Sequence, residues 1–217
     1  MPEFLGWHDS GETLLVIEDL GEALWPPPWT PELITAVCES LDAVHATQPP
    51  GGLRGLEELR EGLDGWPDIA ADPEPLLSTG LCTRRWLEEA LPAFRQASAA
   101  CVLAGDSFLH GDVRSDNLCF QDGRPVFVDW NHACVGTPLL DVVAWLPSLR
   151  LEQGPEPWEI VADSRGLASL IAGFFASRAG LPPAPTAPTV REFQRRQAEV
   201  SLRWAARELA ISPPEAS

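Results

Sequence analysis

The period of apolar positions changes several times along the chain, and each change marks an element. Residues 12–17, ETLLVI, form a short apolar run that ends at the polar bend Glu18-Asp19-Leu20-Gly21, predicting a strand and then a turn. The segment WPPPWTP that follows is incompatible with regular structure. Thr30 then offers an N-cap and Pro31 a first helical residue. Leu33, Val37, Leu41 and Val44 fall on one stripe, predicting a helix to about His45. Residues 49–80, rich in Pro, Gly and acids, predict one short helix over 56–63 between irregular links.

Helical periodicity returns over 83–103, where Pro92 either kinks one helix or separates two. TPLLDVVAWLPSL predicts a further apolar helix. Asp163 or Ser164 caps a helix through Phe174 and Phe175 that ends at Gly180, because Pro182 and Pro183 forbid continuation. Thr189-Val190-Arg191-Glu192 has the pattern of a capping box and starts a last helix to about Leu209. No internal repeat is visible. The fold class is α+β: a short strand, a helical body and one hairpin embedded in it.

That hairpin follows from its turn. Asp122-Gly123 is a strong two-residue turn signal between NLCFQ and RPVFVDW, so Gln121 pairs with Arg124. Phe120 then faces Pro125 in a non-hydrogen-bonded pair, where the missing proline N–H costs nothing. Asn117 falls opposite Val128, with Asp129 diagonally beside it at the open end. An amide oxygen and a carboxylate on two strands are hard donors of the kind that suits Mg²⁺. Asp112 lies on the loop entering the hairpin, in HGDVRSDN, where a carboxylate can accept the proton of an attacking hydroxyl. Asp-x-x-x-x-Asn followed by a strand-borne Asp is the spacing of kinase-type phosphoryl transfer. Taken singly, Asp112 and Asn117 read as loop caps and Asp129 as a strand end. Their joint spacing favours the phosphoryl-transfer site. His132 and Cys134 stand beside it without the further ligands a zinc site needs.

Composition narrows the setting. The net charge is 15 − 32 = −17, and every basic residue is Arg, which disfavours nucleic acid and anionic membrane as partners. The acidity either solvates the surface or attracts cationic ligands. Nine Trp and eight Phe supply core rather than a ligand cage, although Trp130 and Trp145 flank the proposed centre. Five scattered cysteines without C-x-x-C indicate a reducing compartment and buried thiols. The first residues have no signal-peptide pattern and no apolar run reaches membrane-spanning length, so the expected location is cytoplasmic.

HGDVRSDNLCF, VFVDWNHACVGTPLLDVVAW and LLVIEDLG together resemble the aminoglycoside phosphotransferase and choline kinase superfamily, over nearly the whole chain. The resemblance implies a protein-kinase-like fold, with residues 1–20 a remnant of the N-terminal lobe and hinge and 21–217 the helical C-terminal lobe. It implies Asp112 as catalytic base, with Asn117 and Asp129 holding Mg²⁺. Asp141 braces the catalytic loop, His110 shapes that loop, and Arg114 faces the transferred phosphate. The Glu18 carbonyl and Leu20 N–H meet the adenine edge of ATP, with GTP the alternative donor. The acceptor would be a hydroxyl of a small molecule, an amino sugar or choline-like amine above all, with Glu152, Glu156 and Glu159 as candidates for cation recognition.

The chain departs from that pattern by having no G-x-G-x-x-G and no lysine. Strand edges and apolar surface around Phe4, Leu5, Leu14 and Val16 would then be left unpaired. Three accounts are open. The chain is a fragment or its start is set too late; the missing lobe comes from another chain or from self-association at these edges; or this is a shortened, non-catalytic ligand-binding protein. Retention of Asp112, Asn117 and Asp129 favours a phosphotransferase domain whose chain is incomplete.

Overall fold

The computed structural model describes residues 1–215. Its first element is a two-stranded antiparallel ribbon, β1 (Phe4–Asp9) and β2 (Thr13–Ile17), in which Trp7 faces Leu15 and His8 faces Leu14. The apolar run at 12–17 is thus the second strand of a hairpin within the 1–20 remnant; β1 has no strict alternation of its own because Gly6, His8 and Asp9 break its apolar pattern. Helix α1 (Pro31–His45) starts as expected, with the Thr30 hydroxyl accepting from the Leu33 N–H at 3.3 Å, and buries Val37 and Leu41.

The region 49–80 is more ordered than its composition suggests. A 3₁₀ turn (Leu56–Leu59) runs into α2 (Arg60–Leu63), as expected, but α3 (Trp66–Ala71) and α4 (Glu74–Ser78) follow. Both carry a proline at their start, Pro67 and Pro75, where a residue that would break a helix interior is accommodated. Asp64 and Asp72 accept from the backbone N–H groups of Trp66 and Glu74, so the acids mark helix entries.

Helix α5 (Arg84–Ala100) is one helix through Pro92. Pro92 and Glu88, whose carbonyl it leaves unpaired, are both on the exposed face, where water replaces the lost bond. The stretch after α5 forms β3 (Ser107–Leu109), β4 (Leu118–Gln121), β5 (Arg124–Phe127), a 3₁₀ turn (Trp130–His132) and β6 (Cys134–Gly136). β4 pairs with β5 in the expected register, from Gln121 with Arg124 to Leu118 with Phe127. Asp122 and Gly123 take φ values of 50° and 76°, as a tight hairpin turn requires. The pairing of β3 with β6 was not foreseen; three-residue strands are too short to show a period.

Helices α6 (Leu139–Leu151), α7 (Pro157–Ile160), α8 (Arg165–Ala179) and α9 (Val190–Glu208) complete the body. α8 is buried on nearly all sides, between α5 and α9. Trp66 stacks on Phe94 with ring centroids 4.6 Å apart and donates its indole N–H to the Ser169 carbonyl at 2.8 Å. Burial of such rings is a large share of the hydrophobic stabilisation. Two caps differ from expectation. Thr189 and Ser164 occupy the N-cap positions of α9 and α8, but neither side chain makes a capping bond. Thr189 already has helical backbone angles, because the turn closed by the Val190 N–H on the Ala187 carbonyl leads straight into the helix. No helix among the described residues is long and apolar enough to cross a membrane.

Candidate active site

Two antiparallel pairings bring the candidate residues together. β3 lies against β6 and β4 against β5, so the loop joining β3 to β4 runs beside the link joining β5 to β6. The first carries Asp112 and Asn117, and the second carries Asp129. His110 ties the two segments. Its Nε2 lies 2.9 Å from the Val128 carbonyl, and its Nδ1 accepts the Asp112 N–H at 3.2 Å. Those partners fix a neutral tautomer protonated at Nε2. The ring is fully buried against Phe127 and Trp130, and this burial pushes its pKa below the ordinary imidazole value.

Gly111 permits the close approach. Its φ is 80°, and a Cβ there would lie 2.2 Å from the His132 carbonyl oxygen. Behind it, Asp141 reaches in from the first turn of α6. One carboxylate oxygen accepts the Gly111 N–H at 2.8 Å, while the other accepts the His110 N–H at 2.9 Å and lies 3.0 Å from His45 Nε2. The carboxylate is buried, and three donors replace its water. His45, to which the sequence assigned no role, is the third of these; it is the last residue of α1, and nothing local marks it.

Asn117 is also fixed on every side. Its N–H reaches the Arg114 carbonyl at 3.0 Å, its carbonyl accepts the Val128 N–H at 2.9 Å, and its amide nitrogen donates to both the main-chain oxygen and the carboxylate of Asp112, at 2.9 and 3.0 Å. The amide oxygen is therefore the atom left for another partner. Asp129 sits one residue beyond Val128 with a left-handed backbone, φ 58°, and accepts from the Asn131 amide at 2.5 Å. A non-glycine residue held in that region costs about 1–3 kcal/mol and is found at functional sites more often than elsewhere. Asn117 and Asp129 thus place an amide oxygen and a carboxylate at the open end of the hairpin. Among the described residues, no group of three or more His, Cys, Asp and Glu is placed to hold a metal.

Arg114 forks onto Asp116 at 3.0 and 2.6 Å, lies 3.7 Å from the Asp112 carboxylate, and covers the Phe193 ring at 5.5 Å. Ser115 donates to Glu152 at 2.5 Å, and the Trp29 indole donates to the same carboxylate at 2.7 Å. Glu152 thus holds the loop that carries Asp112 and Ser115 instead of facing a ligand, a role no local pattern revealed. Glu156 is paired with Arg150 and Glu159 caps the Glu156 N–H. The three acids proposed for cation recognition do not line the cavity beside Asp112.

That cavity has a volume of about 320 Å³ and opens between the Asp112 loop and the faces of α8 and α9. On the other flank, the segment 18–24 is fastened to the hairpin. Leu24 and Phe120 exchange backbone bonds at 2.9 and 2.8 Å, through the outward-facing groups of the non-hydrogen-bonded Phe120–Pro125 pair. Gln121 donates to the Glu18 carboxylate at 2.6 Å, holding it below the usual carboxylate range. The Leu20 carbonyl accepts from Ala23 and Trp25, and its N–H has no backbone partner among the described residues.

Comparison with known proteins agrees with this architecture. The profile of the Phosphotransferase enzyme family matches residues 2–183, and the chain belongs to that family. Among solved structures, a choline/ethanolamine kinase family protein from Mesorhizobium loti superposes with a TM-score of 0.61 at 16% identity, covering 96% of this chain and 77% of its own. A thermostable mutant of the aminoglycoside phosphotransferase APH(4)-Ia gives 0.54 at 18% identity, covering 97% of this chain and 75% of its own. Identities this low speak to the fold alone, which is the kinase-like α+β fold of these enzymes. No protein of curated function matches the sequence.

Proposed function

We propose that this chain carries the catalytic loop and acceptor cavity of a small-molecule kinase, moving the γ-phosphate of ATP or GTP to a hydroxyl. The observation that carries this reading is the Asn117 amide bonded to both the backbone and the carboxylate of Asp112. It holds the base in one rotamer at the cavity edge and leaves the carboxylate able to accept a proton. As the acceptor oxygen bonds to phosphorus and the nucleoside diphosphate leaves, the hydroxyl proton passes to Asp112. Asn117 Oδ1 and Asp129 fit Mg²⁺, which when bound neutralises phosphate charge. Arg114 stands where it can meet the transferred group once released from Asp116, and the segment from Glu18 to Leu20 offers backbone groups to the base.

Turnover of Mg²⁺–ATP with a panel of hydroxyl compounds tests the assignment. Asp112→Asn should lower transfer at least 100-fold, the order expected for a lost general base, with little change in melting temperature. Transfer that survives this substitution would refute the role given to Asp112. A second reading, non-catalytic ligand binding on the same lobe, is favoured by the absence of lysine and by the exposed ribbon β1–β2. Tight, metal-dependent nucleotide binding by residues 1–217, measured by calorimetry, would count against it.

A further inference from the structure

The wall of the cavity beside Asp112 is at odds with the acceptors that the acidic composition suggests. Leu63, Ile171, Phe174, Phe175, Val190 and Phe193 give it a largely apolar wall, Asp112 and Arg114 are its charged members, and His132 is its one histidine. A polyamine entering here would meet one carboxylate, already bonded to Asn117 and 3.7 Å from a guanidinium. The nearby acids are engaged elsewhere: Asp116 with Arg114, Glu152 with Trp29 and Ser115. Buried ammonium groups without such partners are strongly disfavoured.

Aromatic rings could still form a cage for a quaternary amine. Here the chain's own cations already lie over two of the three phenylalanine rings of the wall. Arg114 lies over Phe193 at 5.5 Å, and Arg178 lies over Phe174 at 3.9 Å. A third cation would be repelled by the two already in place. What the wall does offer is apolar area with two neutral amides, Gln194 and Gln197, in its lining. Gln194 accepts from Arg191 through its oxygen at 2.8 Å, which leaves its NH₂ to donate, and Gln197 is anchored on Ser148 at 2.7 Å.

We propose that the acceptor is an uncharged alcohol with a compact apolar body, packed on α8 and α9 with its hydroxyl toward Asp112. The cavity, at about 320 Å³, is at the small end of ligand pockets and suits a body of one or two rings. This inference rests on the phosphotransferase reading for the orientation of the hydroxyl, and on the wall alone for the class of ligand.

Binding by the whole chain, without nucleotide, tests it. Calorimetry with 3-phenylpropanol and borneol is set against choline and kanamycin. At least one uncharged alcohol should bind about ten-fold or more tighter than either amine, with an affinity indifferent to salt. Val190→Asp adds a carboxylate in the first turn of α9, where the helix tolerates it, and Phe193→Asp adds one deeper. Each should weaken alcohol binding about ten-fold, while Val102→Asp, at an exposed site outside the cavity, should not. Equal or tighter binding of choline or kanamycin overturns the proposal. So does failure of every probe, or unchanged alcohol affinity in a folded Val190→Asp protein. Alcohol bound but never phosphorylated from Mg²⁺–ATP would instead refute the kinase reading and leave the ligand class standing. Phosphate moved to kanamycin or choline alone would uphold the kinase and refute the ligand class.

Discussion

Two of the antiparallel ribbons, β1–β2 and β4–β5, are hairpins of similar size with opposite surroundings. β4–β5 is sewn in: Phe120 is 4% exposed and packs edge-on against Trp29, Leu24 bonds its outer edge, and His110 bonds the strand end at Val128. β1–β2 has apolar residues on both faces, yet Trp7 is 65% and Leu15 62% exposed. A lone two-stranded ribbon is marginal in water, and exposed apolar strand edges are docking or aggregation surfaces. Stability in this chain therefore resides in what surrounds a ribbon rather than in its own cross-strand bonds. The candidate chemistry sits on the ribbon that is surrounded.

The sharpest way to break the comparison is to empty the embedded ribbon. Phe120→Ala should cost about 3–5 kcal/mol in urea unfolding, because the Trp29 and core contacts cannot collapse onto a methyl group. Asp141→Asn comes next. It keeps the shape but offers one oxygen to three donors from His110, Gly111 and His45, and about 2–3 kcal/mol should be lost. Phosphoryl transfer should fall with it, since the loop holding Asp112 hangs from those bonds. Unchanged stability in Asp141→Asn would mean that the loop keeps its shape without this brace.

These two residues also show what the sequence could and could not reveal. The β4–β5 register was legible because Asp-Gly is a local turn signal and strand pairing then counts outward from it. Asn117 was placed opposite Val128 by that count, whereas Asp129, expected on the strand, lies past the end of β5 with left-handed backbone, because the chain turns there into the 3₁₀ segment. The His45–Asp141 contact spans 96 residues and the Trp29–Glu152 contact 123, and no pattern along the chain encodes such meetings. The acids of the helical body looked like cation binders because the sequence shows charge, not the partners that consume it. Short helices α3 and α4 were hidden by prolines that begin helices as readily as they end them.

A smaller effect tests the packing around the embedded ribbon by pH. Burial holds the folded pKa of His110 below the free value of about 6.5, so on acidification the unfolded chain takes up this proton first. The contribution of His110 is complete above pH about 6.5 and is lost as pH falls from there toward the folded value. Its slope is at most about 1.4 kcal/mol per pH unit. Urea midpoints at several pH values should show this slope in wild type and a flatter one in His110→Gln. Parallel profiles would mean that the ring titrates as freely as in solvent.

The smallest change is expected on the exposed ribbon, and its size is informative. Trp7→Ser removes one of the largest apolar side chains, yet a residue that touches mainly water should shift stability by no more than about 0.5 kcal/mol. Amides of β1 and β2 should exchange with solvent far faster than those of β4 and β5. A cost above about 1 kcal/mol that grows with protein concentration would show that a second copy covers the ribbon, because association stabilises only the folded chain and does so by mass action. Lowered self-association in Trp7→Ser at constant stability would mark the ribbon as a sticky edge rather than a structural one. In either case the embedded hairpin, with Asn117 and Asp129 at its open end, should be left as it is. The two ribbons are joined through segment 18–24, whose bonds to Phe120 and Gln121 do not involve Trp7.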